Sequence, residues 1–375
     1  MILRYAIGVA DFLDSGAFEG CISQSEINSR TTSRNNETMY WRAEETRRCL
    51  QLVCKSWDLY LRGFEHRFVR MLDIQHKTLD SPVLEKAIRV SFGKYGCRCE
   101  LCLSSAQRFE EFCYQAIAKA EEVKMEIADM MEEDHQISDF SPWRNFHNVR
   151  ALIAPSCGYC GYFAEVVGRL KSLRHFYGKG YRGTKENWSS SLISQNLVTL
   201  SFHDRKGSNY AEVEWDLPSL RHLRFKDDSN EELDEFVPKA LIPLLRSLGS
   251  QLISFYLYNR NEEYDLPEQI WDLCPHMEIF RTNMSLVSPP PYFHPIHTLV
   301  VDKCSQLKNF KGPPEWPNLG KVAIDQNWKS ISAEHRLTSL DERPDLRVED
   351  RSGLTAEEYA MKEKAIEKEE VAREA

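Results

Sequence analysis

The sequence predicts an α/β fold: helical segments, then an irregular solenoid in which about eight repeats each give a short parallel strand. Three observations predict it. A loose LxxLxL pattern, with any apolar residue at each L, returns across residues 143–331. Apolar residues recur at three- and four-residue steps over 44–69 and 106–135, the spacing of one helix face. Gly178, Asp204, Gly207, Asp227, Asp228, Asn259, Asp302, Asp325 and Asn327 follow the strand-like runs and suit tight reversals.

The pattern starts as Val149-x-x-Leu152, Leu173-x-x-Phe176, Leu197-x-x-Leu200-x-Phe202 and Leu220-x-x-Leu223-x-Phe225. It continues as Leu252-x-x-Phe255-x-Leu257, Met277-x-x-Phe280, Ile296-x-x-Leu299-x-Val301 and Leu319-x-x-Val322-x-Ile324. First positions 149, 173, 197, 220, 252, 277, 296 and 319 are separated by 24, 24, 23, 32, 25, 19 and 23 residues. A unit of this length is one strand plus a return segment, and it buries its apolar face only by stacking on neighbours. The series resembles the leucine-rich repeat family, whose period is roughly 20–29 residues. It is of an irregular kind, without the Asn ladder of regular members. The 32-residue step holds a long apolar return, Leu233 to Leu248. Pro238 and Pro243 argue against one unbroken helix there, since each removes an amide donor and crowds the preceding turn.

Ahead of the repeats, residues 1–43 are expected to be mobile, because 14–40 are rich in Ser, Thr, Asn and Glu. From Glu44 to Val69 a helical stretch follows; Cys49, Leu50, Val53, Cys54, Trp57, Leu61 and Phe64 give it one apolar face. Leu50-x-x-Val53-Cys54-Lys55-x-Trp57, followed by Leu61, looks like the second half of an F-box. Phrases such as IWDLCPHMEIF and LPSLRHLRF are similar to those of fungal F-box proteins with leucine-rich repeats. The resemblance implies that segment 44–70 grips a Skp-type adaptor of a cullin ubiquitin ligase. Leu50, Val53, Trp57 and Leu61 would be shared there between packing and contact.

Residues 71–142 are expected to connect and cap. Ala106 to His135 reads as a long helix with Phe109, Phe112, Ala116, Ala120, Val123, Ile127 and Met130 on one stripe. Solenoid ends need such covers. Cys97-x-Cys99-x-x-Cys102 is a weak zinc candidate: three thiols can share one ion, and the fourth ligand is open among Cys113, His135 and His147. After residue 331 the pattern stops. Segment 332–375 reads as a charged tail, with Thr355-x-x-Glu358 as a capping box for a final exposed helix.

Composition narrows the partners. The chain has 375 residues, 42% hydrophobic and 28% charged, enough for a core and ordinary for a soluble protein. Its net charge of -9 gives no reason to expect nucleic acid or an anionic membrane. No apolar run approaches the roughly 18 residues of a membrane span. Met1 to Leu13 makes a poor signal peptide, and 11 cysteines, an odd count, favour reduced thiols in the cytoplasm or nucleus.

The repeats point to binding. In the leucine-rich repeat family the residues flanking the second apolar position face outward on the concave side. Here those positions and their neighbours give Arg174, His175, Tyr177, Arg221, His222, Arg224, Tyr256 and Arg281, a basic and aromatic set in an acidic chain. Arg and Tyr anchor interfaces, and clustered Arg suits carboxylate or phosphate. The expectation is a substrate-recognition subunit of a Skp–cullin–F-box ligase that takes an acidic or phosphorylated protein segment. One alternative is a leucine-rich repeat scaffold without the ligase link. Another is a thioredoxin-like thiol oxidoreductase, because 149–176 also read as strand, Cys157-Gly-Tyr-Cys160, helix, strand. No nucleophile elbow, phosphate loop, zinc-protease or dinucleotide motif is present, so neither an enzyme nor a cofactor is expected.

Overall fold

In the computed structural model the described residues are 13–19, 34–92, 112–113, 115–117, 125–129, 146–154, 167–178, 191–204, 213–227, 236–260, 265–285, 290–302, 318–325, 346–350 and 352–374. The chain is α/β and carries a parallel sheet of 12 strands. It divides into two compact units, Met1–Arg224 and Phe225–Ala375. The division falls within the predicted 143–331 stretch, not at its start.

The first unit opens with helices α1 (Arg34–Gln51) and α2 (Lys55–Arg62). Part of the segment expected to be mobile is therefore helical. The single helix expected from Glu44 to Val69 is broken at Cys54, whose backbone is extended at φ -161 and ψ 163. Tight bonds from the Leu52 and Val53 amides to the Cys49 and Leu50 carbonyls close α1 just before it. Arg47 is buried and ties the two helices: it donates to Glu44 at 3.0 Å, Glu65 at 3.2 Å and the Leu61 carbonyl at 3.4 Å. Tyr40, Phe68 and Leu13 form a small buried cluster, with Trp41 packed against it. The Tyr40 hydroxyl accepts from the Phe68 amide, and burial pushes its pKa up to about 12.

Strands follow where helix was expected. They are β1 (Phe68–Arg70), β2 (Arg89–Ser91) and β3 (Ile127–Asp129). A short helix, α3 (Met71–Gln75), follows β1 directly. The long capping helix over 106–135 is thus corrected: Phe112–Cys113 and residues 115–117 are helical, but Ile127 pairs with Arg89 and Ala151 as strand. The eight repeats then supply β4 (Ala151–Ala154), β5 (His175–Gly178), and, after β6 (Ser191–Ile193), β7 (Thr199–Asp204). After β8 (Glu214–Asp216) comes β9 (His222–Asp227), which reaches the unit boundary. β6 and β8 pair only with each other, as a separate parallel ribbon.

The second unit contains β10 (Ser254–Asn259), β11 (Ile279–Thr282), β12 (Thr298–Val301), β13 (Lys321–Ile324) and β14 (Arg347–Glu349). β14 lies inside the expected charged tail, a further correction. Between β9 and β10 the chain winds as a wider turn over Val237–Leu241, then α4 (Ile242–Leu248), then a tight turn over Gly249–Gln251. Pro238 lies near the start of this run, where the missing amide costs least, and Pro243 lies where the wider turn passes into α4. α5 (Gln269–Leu273) is the next return, and α6 (Ala356–Glu374) ends the chain. The capping box of α6 is as expected: the Thr355 amide donates to Glu358 at 2.8 Å and the Glu358 amide to the Thr355 hydroxyl at 3.2 Å.

One apolar row runs through each unit. In the first, Val69, Val90, Ala128, Leu152, Phe176 and Leu200 are successive register partners. In the second, the partners are Phe255, Phe280, Leu299, Val322 and Val348. None of these is more than 4% exposed. The middle apolar position of seven of the eight predicted repeats falls on these rows. A slip of one residue would turn each such side chain to the other face, so burial fixes the register. The second unit also builds a buried polar ladder that the sequence reading missed. The Asn283 side chain accepts from the Asn259 amide at 2.9 Å and donates to the Asn259 carbonyl at 2.6 Å. The Asn259 side chain in turn donates to Asp227 at 3.0 Å.

Candidate protein-interaction surfaces

The helical pair of the first unit carries the first candidate surface. Of the four residues singled out there, Leu61 is fully buried, so it packs and is not a contact residue. Leu50 and Trp57 are half-buried, and Val53 is 60% exposed. The break at Cys54 restarts the helix phase. Leu61 then turns inward, and Leu59 (73% exposed) and Tyr60 (46%) turn outward; Leu52 (88%) stands in the turn before. Four large apolar side chains are thus exposed within nine residues, 52–60. Scattered single apolar residues on a surface mean little; four exposed within nine residues make this stretch the candidate surface. Asp58 and Arg62 hold α2 from its polar side with three bonds of 2.7–3.1 Å.

The sheet of the first unit holds six of the expected basic and aromatic residues, but not as a solvated face. His175 and Tyr177 are buried; Tyr177 packs with Ile127, Ala151 and Ile153, its apolar neighbours across the strands. Both sides of this sheet are therefore covered, as is usual for parallel sheets, the second by a mixture of apolar and polar side chains. His175 Nδ1 lies 3.2 Å from the Thr199 hydroxyl. Burial, with Arg174 and His222 nearby, pushes its pKa down to about 3. Arg224 is also buried and donates to the Ser201 hydroxyl at 3.4 Å. Arg221 is half-buried and bonds the Pro218 and Leu220 carbonyls of its own turn, at 3.2 and 2.8 Å. His222 is half-buried, its pKa lowered mainly by burial. Only Arg174 is well exposed, and it pairs with Glu19 at 3.3 Å.

A pH dependence follows from His175. Its folded pKa lies below the ordinary 6.5, so the unfolded chain takes up the proton first. The stability it contributes is present above pH 6.5 and is lost as pH falls from there toward 3. Urea midpoints of wild type and His175→Gln at pH 7 and pH 5 check this. The expected outcome is a smaller acid loss in the variant.

In the second unit the two remaining residues belong to an internal cluster. Arg281 is buried, lies 4.5 Å from the Tyr256 ring centre, and donates to Asp302 at 3.0 Å and to Asp325. Tyr256, Asp302 and Asp325 hold its pKa above the usual value against burial, which opposes them. Its charge is already matched by two carboxylates. Arg281 and Tyr256 are thus corrected from ligand contacts to structure.

Cys97, Cys99, Cys102, Cys157 and Cys160 lie outside the described residues, so the zinc and thiol-redox expectations fall there too. Among the described residues no group of three His, Cys, Asp or Glu side chains is placed to hold a metal ion. No helix among them is long and apolar enough to cross a membrane. Burial pushes the Cys274 thiol up to about 12, which leaves it inert as a nucleophile. Compared with known proteins, the chain matches no family model and no curated protein.

Proposed function

We propose that this chain is the substrate-recruiting subunit of a Skp–cullin–F-box type ubiquitin ligase and is not itself an enzyme. In this reading the α1–α2 module docks the adaptor, and the strands that follow form an array of leucine-rich repeats that selects a protein substrate. The observation that carries the reading is the exposure of Leu52, Val53, Leu59 and Tyr60 in the same short segment as the half-buried Leu50 and Trp57. The repeat reading is supported by the in-register apolar rows and by the Asn259–Asn283 ladder, a feature of regular members of that family.

Co-expression with a Skp-type adaptor and size-exclusion chromatography tests the proposal. The expected result is a one-to-one complex for wild type that is lost in Val53→Asp plus Leu59→Asp. Both side chains are exposed, so the variant should unfold at the wild-type urea concentration; exposed substitutions usually stay within about 0.5 kcal/mol. No complex from folded wild type would sink the ligase reading. One observation favours a second reading, an interaction scaffold without the ligase link: residues before Glu44 contain no Leu-Pro-x-Glu opening, and α1 runs unbroken from Arg34 instead.

A further inference from the structure

The segment Leu13–Glu19 crosses the first unit's strands near their starting ends and is held at three points. Leu13 is buried with Tyr40 and with Phe68 of β1. The Ser15 hydroxyl donates to Glu126, just before β3, at 3.0 Å. Glu19 accepts from Arg174, just before β5, at 3.3 Å. Between the last two points lies Arg150, just before β4, 3.9 Å from Glu126. Backbone bonds from Arg150 to Glu126 and from Arg174 to Arg150 set these residues on adjacent strands, about 4.8 Å apart. Asp14 accepts from the Gly16 amide at 2.9 Å and shapes the turn at Ser15–Phe18 between the anchors.

The segment's anchors to the strands are an apolar side chain, one hydroxyl bond and one ion pair. The inward positions at 175, 177 and 224 are buried; Arg150 and Arg174 stand about half exposed on this edge, and Arg221, in the same row, is bonded to the carbonyls of its own turn. A carboxylate of the chain itself faces each of the first two, Glu126 beside Arg150 at 3.9 Å and Glu19 on Arg174 at 3.3 Å, and only the second belongs to the Leu13–Glu19 segment.

We propose that Leu13–Glu19 is an intramolecular ligand of the Arg150–Arg174 edge, and that an acidic protein segment binds there by displacing it. The proposal rests on the reading of this chain as a recruiter of acidic protein segments, and it names both the place and the competitor. Arg174 is the first contact of the incoming carboxylate, as it is of Glu19. His222, whose titration also feels Glu19, lies on the side toward which the segment runs.

The test uses the full chain and three variants: Glu19→Arg, Arg174→Glu, and the two combined. Hydrogen exchange of residues 13–19 reads whether the segment is held. Anisotropy of a fluorescein-labelled deca-glutamate peptide reads the edge. Glu19→Arg is expected to speed exchange at 13–19 and to tighten the peptide about three- to tenfold, the scale of one exposed ion pair turned to repulsion. Arg174→Glu is expected to speed the same exchange and to weaken the peptide. The combined variant restores the pair in the opposite sense and slows the exchange again. Unchanged exchange in Glu19→Arg would overturn the proposal, and so would faster exchange without tighter peptide. None of these residues lies on α1 or α2, so a missing adaptor complex counts against the ligase reading alone.

Discussion

Phe280→Ala is expected to destabilise the second unit by about 3–5 kcal/mol, the range for truncating a fully buried aromatic residue. Phe280 stands in the middle of the apolar row, with Phe255 on one neighbouring strand and Leu299 on the other. Its ring stacks on Phe255 with centres 5.9 Å apart and meets the Trp271 edge at 5.7 Å. Alanine would leave a void between three strands whose short backbones cannot close over it. A stack of this kind transmits the loss, because each unit buries its face only against its neighbours. Urea denaturation followed by circular dichroism measures it. Phe293→Ala, at a site 89% exposed, serves as the control and should shift stability by less than about 0.5 kcal/mol. A Phe280→Ala loss no larger than the control would refute the stacked-row account.

Asn283→Ala should cost about 2–4 kcal/mol. The Asn283 amide serves both backbone groups of Asn259, its N–H and its C=O, and all of these atoms are buried. Removing the side chain strands two buried polar groups, each worth about 1–3 kcal/mol when left unpaired. Asn283→Asp keeps an acceptor for the Asn259 amide but puts a second carboxylate oxygen against the Asn259 carbonyl, so it should recover none of the loss near neutral pH. The ladder continues from Asn259 to Asp227, so Asn259→Ala and Asn283→Ala should not be additive. Additive costs in a double-mutant cycle would show that the ladder does not act as a unit.

The strands of the eight repeats were legible because an apolar pair three residues apart returns in each, and burial enforces that pair. The same logic explains where reading stopped. Met125-x-x-Ala128 lies 24 residues before Val149-x-x-Leu152 and forms β3, but a small Ala fills the apolar slot and a helical stripe overlays it. The ladder residues Asp227, Asn259 and Asn283 come seven, seven and six residues after Leu220, Leu252 and Met277. An uneven offset hides a ladder among ordinary turn residues. The helix break at Cys54 is equally silent, since no Pro or Gly marks it, and a single unbroken helix leaves Leu59 and Tyr60 outside the predicted apolar face and does not say which of Leu50, Val53, Trp57 and Leu61 pack.

The basic face failed for a different reason. Alternation tells which side of a strand a residue takes, not whether that side meets water. His175 and Tyr177 lie opposite the apolar row as expected, yet that side is buried as well, around Ile127, Ala151 and Ile153. Arg281 was legible as a cation, but its partners Asp302 and Asp325 come from just after two later strands, 21 and 44 residues away, which only the fold brings to it.

The ligase reading stands most directly on where an adaptor would touch the chain. Hydrogen exchange of the full chain, alone and with a purified Skp-type adaptor, measures that. The account predicts slowed exchange over 50–62, the turn and α2, with the strands from Ile127 to Asp204 unchanged. Slowing centred on those strands, or none at all, would contradict it and leave the interaction scaffold as the better description.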